Sequence, residues 1–544
     1  MVYGHKRVYS SDRARIIPNR HMVPRMTTAL ISRPFNKYRA TDSLSVAKLV
    51  DEVAKQLLTE EVSAARLGPL ITRNTAQRNF RAQLSVLLLD LMVCWREGLD
   101  HWISLSMSNR GYSAQQNNAF SKRGMKQRGR RRDRYNPSQV DRKIIPIVKS
   151  LEAAGLVEIK TGFLDRQTNK AFRTRMRASR TLIELFHQTD VDIYDVKMHH
   201  AVETLELKDD QGALVNYGHN FEPKWAAASR ELLSKYNNLL QRSLIDVPEL
   251  EASVISTSRQ GKLTETSIAP HCPFVKRVFN NSRWDHGGRF YGGFWQNMPH
   301  RTKYDPETGE KLDLPNRSRI YINDRPCIER DFSGLHIVLL YARKGIDYWN
   351  SSLGDPYMVP DPIFPDFNRQ IGKLMMLYSI NASDEKKAFA ALNNQLRDDG
   401  LPALKLANFR EHFEQLRDKH RTIEEFFFTG VGLELQFTDS QIAESVIETF
   451  TGQEKVVLSL HDGFVVQEED EELLCDAMDG AFSKITGHKT VRHKSEWLTA
   501  KQSYKRAMEF KTAERNYYLD AISQLKINRS DRYMRNLRDW QSQL

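Results

Sequence analysis

The sequence predicts a mixed α/β (α+β) protein in which a mostly helical N-terminal half precedes a unit of apolar strands alternating with long helices. Three observations carry that prediction. Apolar side chains recur at three- and four-residue intervals through several stretches of the first half, the pattern of helices that bury one face. From about Phe274 onward, short apolar runs bounded by turn residues alternate with helical periodicity. The composition, 40% hydrophobic and 27% charged over 544 residues, is that of a folded chain rather than a disordered one. At roughly 150 residues per domain, this length suggests three or four units.

Charge and cysteine usage narrow the classes. Lys and Arg number 81 against 68 Asp and Glu, and the net charge of +13 fits a nucleic-acid binder without singling one out. No run of about 18 apolar residues occurs, so no membrane span is expected. The first residues carry basic groups but no apolar run of a secretory signal, which makes the cytoplasm the expected location. Cys94, Cys272, Cys327 and Cys475 include no close pair, so free and mostly buried thiols are expected rather than disulfides or a Cys-rich zinc site.

Taken in order, residues 1–119 predict an N-terminal helical region with an irregular arm. The first 40 residues mix Arg, Pro and Ser without periodicity. Leu44, Val46, Leu49, Val50, Val53 and Leu57 then mark an amphipathic helix, and Ala82 to Trp95 is apolar on several faces, as in a buried helix. Residues 120–200 begin with a cationic loop that no core could absorb: Lys122, Arg123, Lys126, Arg128, Arg130, Arg131, Arg132 and Arg134, punctuated by Gly124 and Gly129. Charge runs are usually solvated linkers, but Arg clustered beside Gly also suits phosphate contact.

Val140, Ile144, Ile147, Val148 and Leu151 follow at helical spacing, Gly155 supplies a stop, and Leu156, Val157 and Ile159 read as a strand. After the turn-rich Thr161 to Lys170 comes a basic strand in which Arg173, Arg175 and Arg177 alternate with Phe172, Thr174 and Met176, so the three guanidiniums share a face. Helix, strand, turn and basic strand resemble the last helix and wing of bacterial winged-helix DNA-binding domains. That resemblance implies phosphate contacts, which position a protein without reading bases. An ordinary helix-hairpin subdomain is the competing account.

Residues 201–286 predict a helical thumb-like or connecting region, with an amphipathic helix from Trp225 to Leu244 and a Ser-, Thr- and Gln-rich stretch, Ser253 to Thr266, taken as a loop. The basic tail, 501–544, carries Arg515, Tyr517, Tyr518, Arg529, Arg532, Tyr533 and Arg535. These suit a nucleic-acid surface or a packed terminal helix, and packing is favoured.

Three motifs fall between these regions. Cys327 to Phe332 reads as a strand delivering Asp331, followed by a Ser333-Gly334 turn and the apolar helix from Leu335 to Ala342. Alone, such an Asp commonly caps the helix. Val456 to Gln467 reads as two apolar strands joined by a His461-Asp462-Gly463 turn that presents Asp462 at its tip. Between them, a helix beginning near Pro365 places Arg369, Lys373, Leu377 and Asn381 four residues apart and so on one face. Two cations one turn apart can grip an anionic ligand.

The order and spacing of these motifs resemble the palm and fingers of family A DNA polymerases, the bacterial polymerase I group, and distantly the single-subunit RNA polymerases. Asp331-Phe332-Ser333-Gly334-Leu335-His336 is similar to the family's first motif, Asp-Tyr-Ser-Gln-Ile-Glu. Arg369, Lys373, Leu377, Asn381 and Ala382 are similar to its fingers helix, and His461-Asp462 to its His-Asp hairpin. Upstream, Gly288-Arg289-Phe290 and Trp295-Gln296-Asn297-Met298-Pro299-His300-Arg301-Thr302 are similar to its primer- and template-contacting run, and Gly354-Asp355-Pro356-Tyr357 to its short Asp-containing turn. The resemblance runs from Gly287 to Gln467 and implies a right-hand polymerase palm with helical fingers: palm in 287–360 and 441–500, fingers in 361–440.

What the resemblance implies chemically is template-directed nucleotidyl transfer. Asp331, Asp462 and the Phe332 carbonyl would hold two Mg²⁺ ions, with Mn²⁺ as a substitute. Hard carboxylate oxygens suit Mg²⁺. Arg369 and Lys373 would take the β- and γ-phosphates, with Lys373 as proton donor to pyrophosphate, while His336, Asn381 and Leu377 would line the nucleotide. Arg289, Gln296, Asn297 and His461 would position primer or minor groove. The partners implied are a DNA template and primer and nucleoside triphosphates, in replication of a mobile element or phage.

Four positions depart from the family. His336 and Asn381 stand where an acidic residue and a Tyr exclude a ribose 2′-hydroxyl, Gly463 replaces the acidic residue after the hairpin Asp, and Leu377 replaces an aromatic that stacks on the base. Sugar discrimination is therefore unreadable. An RNA polymerase-like or primase enzyme stays open, with RNA as product or template, and so does a non-catalytic replication initiator with a degenerate palm. No Asp-x-Glu pattern in the first half is placed to form a proofreading exonuclease.

Overall fold

The computed structural model describes residues 32–544 apart from 99–100, 110–111, 113–133, 166–169, 190–192, 252–253, 260–261, 269–272, 299–316, 363–364, 399–400, 402 and 496–528. In the N-terminal part, β1 (Ser32–Pro34) and β2 (Arg39–Ala40) lead into α1 (Leu44–Thr59), α2 (Glu61–Leu67), α3 (Asn74–Glu97) and β3 (Trp102–Leu105). Then come α4 (Ile144–Ala153), β4 (Val157–Lys160), the hairpin of β5 (Phe163–Asp165) and β6 (Lys170–Phe172), β7 (Thr174–Ala178), α5 (Arg180–Gln188) and β8 (Lys197–Met198). One sheet has the order β1-β3-β7-β4, and β2 pairs with β8.

The helical pattern is realised where it was read. α1 buries Val46, Leu49, Val50, Val53, Ala54 and Leu57, and α3 buries a near-continuous run from Leu84 to Cys94. Two readings change. The segment taken as an irregular arm supplies β1 and β2, tied down because β1 pairs in parallel with β3. The helix expected from Val140 starts at Ile144, because the Asn136 side chain captures the Val140 N–H at 3.0 Å and bends the chain there.

The middle region holds β9 (Leu205–Leu207), α6 (Ala226–Gln241), β10 (Ile245–Asp246), β11 (Val254–Arg259), β12 (Lys262–Ser267) and β13 (Lys276–Phe279). It is therefore not a helical thumb, since α6 is its one α-helix among the described residues. The Ser- and Thr-rich stretch read as a loop is an antiparallel ribbon, β11 with β12, in register from Val254↔Ser267 to Arg259↔Lys262. Val254, Ile255, Thr257, Thr264 and Thr266 are β-branched and favour extended backbone, a preference that outweighed the loop-like polarity.

The remaining elements are β14 (Gly287–Tyr291), β15 (Tyr321–Ile322), β16 (Arg325–Phe332), α7 (Leu335–Arg343), α8 (Asn368–Asn381), α9 (Glu385–Asp398), α10 (Leu406–Lys419), α11 (Gly432–Gly452), β17 (Leu458–Ser459), β18 (Gly463–Gln467), α12 (Glu471–Thr486), β19 (His493–Ser495) and α13 (Asp531–Gln541). The central sheet runs β10-β15-β16-β18-β17, with β19 pairing β16 beside β15, and a second sheet runs β14-β13-β9. α11 spans 21 residues, Gly432–Gly452, ahead of the hairpin. Its polar Thr438-Asp439-Ser440 mimics a helix start, yet Asp439 and Ser440 are buried mid-helix, where they accept from arginines. α10 ends at Lys419, and the chain continues as a 3-10 turn, Arg421–Phe426.

The buried apolar residues gather in two separate cores. One gathers residues from Val46 to Val196; the other runs from Tyr135 through Leu205 to Phe482. The end of the basic tail packs, as favoured. Tyr533 and Leu537 of α13 bury against Leu244, and Arg532 forms a fully buried ion pair with Asp246 at 2.7 Å. Arg515, Tyr517 and Tyr518 lie outside the described residues. Cys94 and Cys327 are buried and Cys475 partly so, all as free thiols. Among the described residues no helix is long and apolar enough to cross a membrane.

Candidate active site

Asp331 lies on β16, and Asp462 sits in the turn just before β18, the antiparallel neighbour of β16. β16 pairs β18 with Asp331 opposite Gly463, and the Phe332 N–H donates to the Asp462 carbonyl at 3.1 Å, so sequence-distant carboxylates reach one sheet end. The local chemistry explains why. Ile328 and Phe332 anchor β16 in the core, and Val465 and Val466 anchor β18. His461 takes a left-handed φ of 71° to close the hairpin, with the Leu460 N–H on the Gly463 carbonyl at 2.8 Å. A Cβ on Gly463 would stand 3.2 Å from Asp331 Oδ1, so the departure from an acidic residue there leaves the Asp331 carboxylate room. On the other side, Lys494 of β19 is the cross-strand partner of Asp331 and brings Nζ to 3.7 Å from Oδ2.

Facing this pair is the turn Asp355-Pro356-Tyr357. It packs against Gly334, the left-handed residue that starts α7, where a Cβ would come within 2.8 Å of Pro356 Cγ, and against Gly372 of α8, where a Cβ would strike the Tyr357 carbonyl. Lys419 and His420, at the end of α10, pin the turn from behind. Lys419 Nζ donates to the carbonyls of Asp355 and Met358, and His420 Nε2 to that of Pro356 at 2.8 Å. Burial pushes the Tyr357 phenol well above its ordinary value, reinforced by the charge of Asp462 and, more weakly, of Asp355 and Asp331. The hydroxyl therefore stays protonated beside the carboxylates and is a donor. Sequence reading took only the turn from this segment, and not Tyr357 itself, because a lone tyrosine carries no spacing signal.

The α8 stripe forms as read. Arg369, Lys373, Leu377 and Asn381 are exposed on one face, while Ile371, Met375, Met376 and Ile380 are buried on others. Arg369 Nε reaches Asp355 at 2.8 Å and its guanidinium lies over the Tyr357 ring, which links the stripe to the turn. Lys373 has no ion-pair partner among the described residues. Asn381 is held away from the others: Nδ2 donates to the Leu377 carbonyl at 2.7 Å and Oδ1 packs against Gly432.

Several predicted contacts are occupied from within. Asp439, buried on α11, accepts from Arg289 Nε at 3.0 Å and from His336 Nε2 at 2.9 Å. Since Nε2 must carry its proton to donate to a carboxylate, the 3.1 Å approach of Arg289 Nη2 to Nε2 is a close contact rather than a second hydrogen bond. Burial alone would raise the Asp439 carboxyl, but His336 and Arg289 hold it below its ordinary value. Asp439 was missed because a buried acid inside a helix reads as a surface charge.

Gln296 spends its amide on the Phe290 and Ser459 carbonyls at 2.9 and 3.0 Å and on the Gly292 N–H, bracing β14 against β17, so it is corrected from a primer contact to a brace. Asn297 is exposed. His461 lies beside Tyr291, 5.0 Å between ring centroids with the planes tilted, and burial, with Arg289 next, lowers its pKa.

In the N-terminal sheet, Thr174, Met176 and Ala178 face inward and Arg173, Arg175 and Arg177 lie on the other face. Arg177 is committed to Glu158 at 2.8 Å and lies over Trp102, with Lys160 beside the same ring. Arg128, Arg130, Arg131 and Arg132 lie outside the described residues.

Among the described residues no three His, Cys, Asp or Glu side chains gather as a metal cage. Asp331 and Asp462 are a two-carboxylate set, each partly exposed. Hard, partly exposed carboxylate oxygens fit Mg²⁺, which keeps waters and takes further ligands from a triphosphate. No protein-family model matches the chain, and no curated protein matches it either.

Proposed function

We propose that the chain is a DNA-binding, template-directed nucleotidyltransferase of the family A polymerase type, acting in replication of a mobile element or phage. The observation that carries this reading is the meeting of Asp331 and Asp462 at one sheet end, opposite the Asp355–Tyr357 turn and the cationic face of α8. Asp331, Asp462 and the Phe332 carbonyl would hold Mg²⁺, which would supply charge neutralisation for phosphoryl transfer. The chain's own residues do the rest. Arg369 and Lys373 grip the β- and γ-phosphates, and Lys373 gives the leaving pyrophosphate a proton. The protonated Tyr357 hydroxyl donates toward an anionic oxygen. Asp439 holds Arg289 and His336 rigid beside the carboxylates, where a primer terminus would lie. The basic face of β7 and the β5–β6 hairpin, in a winged-helix-like module, track a phosphate backbone.

A second reading, a primase or RNA-making enzyme, is favoured by the fate of the two sugar-discriminating positions. His336 is bonded to Asp439 and Asn381 to its own helix, so they do not form a paired barrier to a 2′-hydroxyl. Primer extension in separate deoxy- and ribonucleotide mixes, with Mg²⁺, tests both. Asp331→Asn and Asp462→Asn are expected to lower incorporation by roughly 10³-fold or more at an unchanged melting temperature. Wild-type extension by either mutant overturns the proposal, as does failure of the wild type to incorporate any nucleotide.

A further inference from the structure

We propose that Lys494 is a built-in counter-cation for Asp331, which a divalent ion has to displace before it can occupy the site. The inference rests on the metal-site reading of Asp331 and Asp462. Its warrant is geometry at the edge of the central sheet. β19 pairs β16 with His493 opposite Phe332, Lys494 opposite Asp331 and Ser495 opposite Arg330, so Lys494 and Asp331 are directly facing cross-strand residues. Facing residues point to the same side of a sheet. The ammonium therefore comes to the catalytic carboxylate by register, not by the chance swing of a surface side chain.

The strand that carries Lys494 is itself anchored. The Ser333 N–H donates to the Arg492 carbonyl at 2.8 Å, the Arg492 guanidinium lies over Trp349 at 4.4 Å, and His493 Nε2 is 3.3 Å from Asp479. The backbone of Lys494 is thus held while its four-carbon stem can swing the charge away. Lys494 and Asp331 are partly exposed, at 41% and 25%, so the pair is weak enough to be broken yet close enough to oppose a second positive charge. The two oxygens have different surroundings: Oδ2 faces the ammonium, while Oδ1 lies toward Gly463, where a Cβ would stand 3.2 Å from it. A divalent ion at Asp331 meets repulsion from Lys494 until the side chain moves toward another anion, such as a substrate phosphate. Metal occupancy is then coupled to the arrival of phosphate, and the site binds metal poorly when alone.

The test is Mn²⁺ binding to the full chain without nucleotide or DNA, read as loss of the free-ion electron paramagnetic resonance signal. Lys494→Met is expected to bind Mn²⁺ roughly three- to tenfold more tightly than wild type, Lys494→Arg to stay near wild type because it keeps the charge, and Lys494→Met combined with Asp331→Asn to lose the gain. Saturable Asp331-dependent binding that is equal in wild type and Lys494→Met overturns the Lys494 assignment alone. Absence of any binding that depends on Asp331 and Asp462 overturns the metal-site reading, and this inference with it.

Discussion

The N-terminal sheet and the central sheet use carboxylates in opposite ways. Beside the first, Asp90 of α3 is fully buried and saturated: Arg33 and Arg39 reach it at 2.8 and 3.3 Å, and the Asn36 N–H at 2.9 Å. At the end of the second, Asp331 on β16 and Asp462 in the turn before β18 are partly exposed, and Lys494 Nζ stands 3.7 Å from Asp331. A carboxylate whose lone pairs are all spoken for is architecture, because removing it strands buried cations. One that reaches solvent at a sheet end is available for chemistry. The same contrast runs through the cations, since Arg177 is committed to Glu158 while Lys373 stands on an exposed helix face.

The contrast can be broken most forcefully at Asp90. Asp90→Ala removes the carboxylate that Arg33 and Arg39 share, leaving Arg33 with Glu97 at 2.8 Å, and is expected to cost about 3–5 kcal/mol of stability, read as a fall in the denaturant midpoint. Asp462→Asn is expected to leave that midpoint in place. A loss at Asp462 equal to that at Asp90 would dissolve the distinction.

A second, smaller effect concerns the buried support of the Asp355–Tyr357 turn. His420 donates to the Pro356 carbonyl and accepts from the Tyr341 hydroxyl at 3.1 Å, and burial pushes its pKa from 6.5 down to about 4. A depressed folded-state pKa means that the unfolded chain binds the proton first. The contribution of neutral His420 is therefore complete above about 6.5 and is lost as pH falls toward 4. This amounts to up to about 3 kcal/mol, at about 1.4 kcal/mol per pKa unit. Denaturation midpoints at pH 7 and pH 4.5 should differ less for His420→Gln than for wild type; identical slopes would show that this histidine does not titrate on unfolding.

The smallest expected effect separates two arginines of β7. Arg175→Ala should reduce the slope of log K against log salt for duplex DNA by about 0.9, one phosphate contact. Arg177→Ala should change it less, because Glu158 already neutralises that guanidinium. A larger change at Arg177 would reverse the assignment of the outer face.

Much of this was legible because local rules suffice where period and register act alone. The buried stripe of α1, the exposed face Arg369-Lys373-Leu377-Asn381 and the His461-Asp462-Gly463 turn each follow from spacing within a few residues. The illegible parts depended on distant partners. The ribbon from Val254 to Ser267 looked like a loop because its polarity hid its β-branched pattern, and Asp439 looked like a surface charge until Arg289 and His336 came to it.

By itself, then, the chain's order of residues determined which side chains could share a face, which turns could form and which residue types stood ready for phosphate and metal. Only the tertiary structure decided that Gln296 braces a strand, that Tyr357 stands beside the carboxylates and that Lys494 faces Asp331. Backbone preference acts over a few bonds, whereas pairing of β16 with β18 and β19 joins residues far apart in the chain, and a charge acquires its role from what the fold sets against it.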